Sequence, residues 1–161
     1  MAQLQYKNKI YSKANEVCKL MEQEGLVYEK WPLQKTAERP DEEILQIYRA
    51  EIAKISKLKG YQSADLVSLS EKTPKLDEIT AKFSREHHHS EDEVRFTVEG
   101  EGLFVIKGLD GEFLEFKSEA GDLIVIPAKR RHYFTLTPAK KIRTIRIFRN
   151  HQGWEALYDE A

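Results

Sequence analysis

The chain has 161 residues, the length of one domain, with 26 Lys and Arg against 27 Asp and Glu and a formal net charge of −1. That balance gives no general electrostatic reason to bind nucleic acid or an anionic membrane. The single cysteine, Cys18, excludes an internal disulfide and reads as a small buried hydrophobe, and no apolar run approaches the ~20 residues of a membrane-spanning helix. With no hydrophobic segment at Met1–Lys7 to direct secretion, the expectation is a soluble, cytoplasmic protein.

Residues 12–24 predict a helix, with Ala14, Val17, Cys18 and Met21 on one face and Gly25 as the stop. Val27 to Trp31 alternates as a strand that Pro32 ends, and residues 34–40 form a polar loop. Asp41, Glu42 and Glu43 place negative charge at the start of a second helix, where its dipole favours it. Leu45, Tyr48, Ile52 and Ile55 form the buried stripe of that helix, and Gly60 ends it. Ala64–Leu69 is a short strand. Thr73 as cap and Pro74 at the first helical position open a third helix, on which Leu76, Ile79 and Phe83 share one side.

Beyond residue 85 the pattern changes to alternation. Strands are expected at Glu86–His89, Val94–Val98, Gly102–Lys107, Glu112–Lys117, Leu123–Ile126, His132–Leu136 and Ile142–Phe148. Glu99-Gly100-Glu101-Gly102 and Leu109-Asp110-Gly111 read as turns between them. Short strands this regularly punctuated predict an antiparallel barrel or sandwich. The expected organisation is one domain over residues 1–161: mainly β, with an α-helical N-terminal part to about residue 85 and a barrel over about 86–150.

The chemistry concentrates in two stretches, Glu86-His87-His88-His89-Ser90-Glu91-Asp92-Glu93-Val94-Arg95-Phe96 and Gly121 to His132. Alternate residues of a strand share a face, so His87 and His89 point one way and His88 the other. Glu93 has the same parity, and His132 completes the set from a distant strand. Two imidazoles, a carboxylate and a third imidazole form a mixed nitrogen and oxygen shell that suits Fe(II), Ni(II), Mn(II) or Zn(II) and lacks the thiolates of a closed structural zinc site. Four protein ligands on an octahedral ion leave two positions for a bidentate substrate. A plain polar histidine tract is the competing reading; the glutamate four residues on and the second Pro-His element favour the metal. His151 lies in a polar turn and is read as structural.

These stretches resemble the two cupin motifs: His87, His89, Glu93 and Gly100 in the first, Gly121, Pro127 and His132 in the second. Lys129 stands where cupins often carry a glycine, and Leu136 where an asparagine is common. Within cupins, the first stretch through Gly100, Gly121–Ile124 and Ile126–Ala128, together with Glu29-Lys30-Trp31, Gly60-Tyr61, Phe83–Glu86, Arg146–Phe148 and Gly153-Trp154, resembles the acireductone dioxygenase family of methionine salvage. The resemblance runs from about residue 25 to residue 156.

It implies a jelly-roll type cupin barrel, one Fe(II) or Ni(II) per chain, and two small-molecule partners, O2 and the acireductone 1,2-dihydroxy-3-keto-5-methylthiopentene. In the family the iron form yields formate and the keto-acid precursor of methionine; the nickel form yields formate, carbon monoxide and methylthiopropionate. A monomer is expected. Arg95, two residues after Glu93, should face the interior and hold the anionic substrate; its competing role is an ion pair with Glu99 or with a ligand carboxylate. Phe83, Phe134 and Trp154 would wall the pocket and receive the thioether, with core packing the alternative for each. The resemblance also places Arg146 near the site, as a further substrate-binding residue. Lys129, Arg130 and Arg131 read as a solvated loop, with a mouth that attracts an anionic substrate as the second choice. Another metal-dependent cupin, an isomerase or a different dioxygenase, remains an alternative, as does a non-enzymatic binding cupin.

Overall fold

The computed structural model describes residues 2–149 and 155–158. His151 and Trp154 lie outside them. The described residues form nine strands and four helices. The strands are β1 (Gln3–Tyr6), β2 (Lys9–Tyr11), β3 (Val27–Lys30), β4 (Ser63–Leu69), β5 (Glu93–Lys107), β6 (Phe113–Glu119), β7 (Asp122–Ile126), β8 (His132–Leu136) and β9 (Ile142–Phe148). The helices are α1 (Ala14–Gln23), α2 (Asp41–Ile47), α3 (Arg49–Lys59) and α4 (Leu76–Phe83). All the pairings between strands are antiparallel, and the sheet curls into a half-barrel.

The organising strand is β5, 15 residues long. Its first half pairs with β7 and β9, and its second half with β6 and β8. The turn expected at Glu99–Gly102 is therefore a bend inside one strand. A bulge between Thr97 and Glu99 shifts the register there, and Gly100 takes φ +74 where a Cβ would meet the Lys141 carbonyl oxygen at 2.0 Å. Paired glycines in a strand mark bulges and close backbone approaches as readily as turns. The bulge also resets the strand's phase. Glu93, Arg95 and Thr97 face the interior before it, and Phe104 and Ile106 face the same interior after it.

That interior is filled by Leu4, Phe104, Ile106, Leu114, Phe116, Ile124, Ile126, Phe134 and Ile142, with Val17 and Met21 of α1 beside them. The outer face of β5, β7 and β9 carries Val94, Phe96, Leu123, Val125, Ile145 and Ile147, and Ile44, Tyr48 and Ile55 of α2 and α3 cover it. Both faces of this half are thus dry, which explains the unbroken buried run over the first six residues of β5. The single helix expected from Asp41 is broken at Tyr48, whose φ of −95° and ψ of 13° leave the helical region. The break lets Ile44, Tyr48 and Ile55 all reach the same sheet, with the Tyr48 ring 4.8 Å from that of Phe96.

Other boundaries moved for local reasons. Thr73 does not cap α4; its hydroxyl oxygen accepts from the Ser70 amide at 2.9 Å, and the helix begins at Leu76 after Lys75 at φ 56°. The N-terminal part is less helical than expected. It holds the described helices but also β1 to β4, and β1 with β2 form a hairpin whose Lys7 and Asn8 take φ 50° and 62°. Such a two-residue turn matches the twist of the flanking strands.

Candidate metal centre

The two histidine stretches meet at one end of the half-barrel. Glu86–His89 does not form the expected strand; it is extended and held by single bridges on each side, His87 to His132 and His88 to Leu157. His87 and His132 exchange both backbone hydrogen bonds at 2.9 Å, so the two ligand candidates stand directly opposite each other. His88 turns to the other side. Glu93 is the first residue of β5, opposite Ile126, which precedes Pro127. Asp92 ties the two stretches together: its carboxylate accepts from the Ala128 amide at 3.0 Å and from the Tyr61 hydroxyl at 3.1 Å. The His89 carbonyl accepts from the Lys129 amide at 2.8 Å.

His87, His89, Glu93 and His132 are all buried, and one ligand atom from each lies within 4.8 Å of every other. The imidazole centroids are 4.6 to 5.3 Å apart. Each Nδ1 faces a backbone carbonyl: Arg85 at 2.7 Å from His87, Glu155 at 3.2 Å from His89 and Arg130 at 2.9 Å from His132. A carbonyl only accepts, so Nδ1 carries the proton and Nε2 turns its lone pair inward.

The electrostatics fit a cation. His132 Nε2 and Glu93 Oε2 approach each other closely, and both are buried without a hydrogen-bond partner. Two lone pairs cannot share that space stably; a proton or a metal ion between them resolves the conflict. Burial works against ionising Glu93, but the charges of His132 and Arg95 outweigh it and hold the carboxyl well below its ordinary range. The same contact raises His132 against its own desolvation. Burial lowers His87 to about 4, so it stays a neutral donor. Three imidazole nitrogens and one carboxylate oxygen, with no thiolate, suit a divalent ion of intermediate hardness.

Arg95 is buried, and its Nε donates to Glu93 Oε1 at 2.9 Å. The ion pair weighed in the sequence is therefore with Glu93, a candidate ligand; Glu99 instead accepts from Thr36 at 2.8 Å. With Oε1 engaged by Arg95, Oε2 is the oxygen turned to the imidazoles of His89 and His132. The Arg95 guanidinium lies 5.9 Å from the Phe83 ring and 6.0 Å from the Phe134 ring. Those two rings meet edge-on at 6.2 Å, Phe134 buried and Phe83 half-buried. Arg146 stands across the ladder from Arg95 and is paired with Asp65.

Several participants were not legible in the sequence. The Glu155 carbonyl and Tyr158, whose ring lies 5.9 Å from that of His87 and 4.1 Å from the Arg85 guanidinium, come from a C-terminal segment with no motif of its own. Asp92 and Asp65 are isolated acids until the strands are paired. Arg131, expected in a solvated loop, is half-buried and grips Glu86 through Nε at 2.8 Å and through Nη2.

Comparison with known proteins identifies the family. The profile of the ARD/ARD' family matches residues 3–156. The chain is 42% identical over 163 aligned residues to acireductone dioxygenase of Bacillus pumilus, covering 95% of this chain and 93% of that one. It is 44% identical over 153 residues to the Bacillus cereus enzyme, covering 89% and 90%. The structure of acireductone dioxygenase from Bacillus anthracis with a cadmium ion in its active centre superposes with a TM-score of 0.92 at 40% identity, covering 98% of each chain. At these identities and coverages the chain belongs to the acireductone dioxygenase (ARD/ARD') family, with its cupin fold.

Proposed function

We propose that His87, His89, Glu93 and His132 hold one iron or nickel ion, and that Arg95 receives the anionic part of the substrate, in a chain whose activity is that of its family: oxidation of acireductone by O2. The observation that carries the reading is the convergence of four buried donor groups, one ligand atom of each within 4.8 Å of every other, with each Nδ1 already committed to a carbonyl. When bound, the ion supplies Lewis-acid and template chemistry for two adjacent substrate oxygens.

The chain's own residues do the rest. Arg95 fixes Glu93 through one oxygen and places a cation beside the site, where an enediolate gains a charge-assisted contact. Phe83 and Phe134 present ring faces and edges next to that cation, a surface suited to a thioether tail. Trp154, the third expected wall residue, is outside the described residues. The proposed site is complete within one chain and needs no residue from a second copy, and a monomer is the expected working unit. Among the described residues no helix is long and apolar enough to cross a membrane, in keeping with action in the cytoplasm.

Protein purified without chelator is expected to contain near-stoichiometric metal. His89→Ala should lose most of it and His88→Ala should keep it; full metal in the His89 variant would refute the ligand assignment. Reconstituted separately with Fe(II) and Ni(II), the protein should consume the ultraviolet absorbance of acireductone under O2 and release formate. Carbon monoxide should appear with nickel, and the methionine keto acid with iron. Inert acireductone with both metals, alongside turnover of another enediol or diketone, would transfer the site to a different substrate.

A further inference from the structure

Arg95, Arg146 and Asp65 occupy three adjacent strands at matched positions. Arg95 of β5 is directly opposite Arg146 of β9, and Arg146 is directly opposite Asp65 of β4. Opposed residues of an antiparallel pair share a face, so the row points into the half-barrel beside the metal site. Glu93 closes the row at one end, with Arg95 Nε 2.9 Å from its Oε1. Asp65 closes it at the other, accepting from Arg146 Nε at 2.7 Å and from Nη2 at 2.5 Å. The sequence of charges is minus, plus, plus, minus.

Like charges directly opposite each other across an antiparallel pair are unfavourable, and burial sharpens the cost. The arrangement persists because an acid stands outside each arginine, which leaves two positive charges side by side in the middle. Exposure is graded along the row: 5% at the Arg95 side chain, 25% at Arg146 and 39% at Asp65. The row therefore runs from the buried ligand carboxylate out to solvent. Without its carboxylate, a side chain as long as Arg146 would turn its guanidinium toward water and away from Arg95.

We propose that Asp65 is a positioning residue for substrate binding: it holds Arg146 as a second guanidinium beside Arg95, so that an anionic, oxygen-rich substrate meets two cations on its way to the metal. Two N–H donors of Arg146 are spent on Asp65, which fixes the plane of the guanidinium. The inference rests on the reading that Arg95 faces the substrate, and it extends that reading outward by two residues.

Nickel-loaded protein is titrated with acireductone under strictly anaerobic conditions, and binding is followed by the change in the enediol's ultraviolet absorbance. Metal content and melting temperature are measured on the same samples. Asp65→Asn and Arg146→Gln should each weaken binding roughly tenfold, the scale of one charge-assisted contact. KM should rise with Kd, while kcat moves by less than about threefold. Asp65→Glu should recover most of the affinity. The double variant Asp65→Asn/Arg146→Gln should bind no more weakly than Arg146→Gln alone, because Asp65 acts through Arg146. Wild-type affinity in Asp65→Asn would overturn the proposal, as would additive losses in the double variant. So would a loss of metal or of melting temperature that tracks the lost binding and is not restored by Asp65→Glu. Arg95→Met separates the two levels. If that variant binds normally, the underlying reading of Arg95 fails; if it binds poorly while Asp65→Asn binds normally, only the role of Asp65 fails.

Discussion

Arg95→Met sets the electrostatics of the site against its scaffolding. Met keeps an apolar stem out to the position of Nε, but it removes the donor to Glu93 Oε1 and one positive charge from a buried position. In metal-free protein, breaking a buried pair by deleting one partner leaves an uncompensated charge and costs about 3–5 kcal/mol. Relief of the like-charge opposition with Arg146 offsets part of this, so about 3 kcal/mol is expected, a fall of roughly 10 °C in melting temperature at this chain length. In metal-loaded protein the ion itself compensates Glu93, and the loss should be smaller. By linkage, the difference between the two losses equals the gain in metal affinity. A unit charge beside a dication contributes several kcal/mol at an effective dielectric near 20. Poorer orientation of Glu93 cancels much of that, so Ni(II) should bind about tenfold more tightly, ~1.4 kcal/mol. Turnover should nevertheless fall, by about a hundredfold or more, because the substrate loses its cation. The assays are melting with chelator and with Ni(II), competition titration of Ni(II), and kcat/KM. A variant that loses metal affinity and activity together would show that Arg95 only braces Glu93, and would refute this account of its charge.

Three further outcomes follow from the fold. Lys129 takes φ 70° at the position where the cupin motif often carries glycine, so Lys129→Gly should remove about 1 kcal/mol of backbone strain, and even after the added chain entropy the melting temperature should rise by about 1–2 °C. A lower value would mean that the lysine side chain matters more than its backbone. Gly100→Ala places a Cβ 2.0 Å from the Lys141 carbonyl at φ +74; a loss of about 3 kcal/mol is expected, and an unchanged melt would mean that β5 and β9 separate easily there. Asp110 accepts from the Tyr6 hydroxyl and pairs with Lys7, which pins the β1–β2 hairpin. Its hydrogen bonds, first to Lys7 and then to Tyr6, lower its pKa in the folded protein. The stabilisation is therefore present above the ordinary carboxylate range and disappears as pH falls through it to the depressed value. The melting difference between wild type and Asp110→Asn should be measurable at pH 7 and vanish in strong acid; a difference independent of pH would assign it to shape alone.

What the sequence disclosed follows from how local each signal is. The direction of His87 and His89 is a property of an extended chain and survives although Glu86–His89 forms only isolated bridges. Exact strand limits at β8 and β9 were legible because alternation there is bounded by Pro127 and by the polar stretch after Leu136. By contrast, Gly100 and Gly102 carry the same signature for a turn and for a bulge, and only the identity of the neighbouring backbone decides between them. The β1–β2 hairpin was missed because strands of 4 and 3 residues give alternation too little length to register. Asp65 and Glu155 were invisible for a different reason: one acts through a cross-strand partner 81 residues away and the other through its carbonyl, which no residue type announces.

The anchoring of the three imidazoles by main-chain oxygens has a genetic consequence. The carbonyls that hold His87 and His132 belong to residues two positions earlier in the chain, Arg85 and Arg130. Every amino acid, proline included, carries that oxygen. No single codon change at position 85, 130 or 155 can delete the acceptor, whereas an acidic side chain in the same role could be lost in one step. The side chains at these three positions are thereby free to vary for other purposes, such as the stacking of Arg85 on Tyr158, without loosening the ring orientations on which the proposed centre depends.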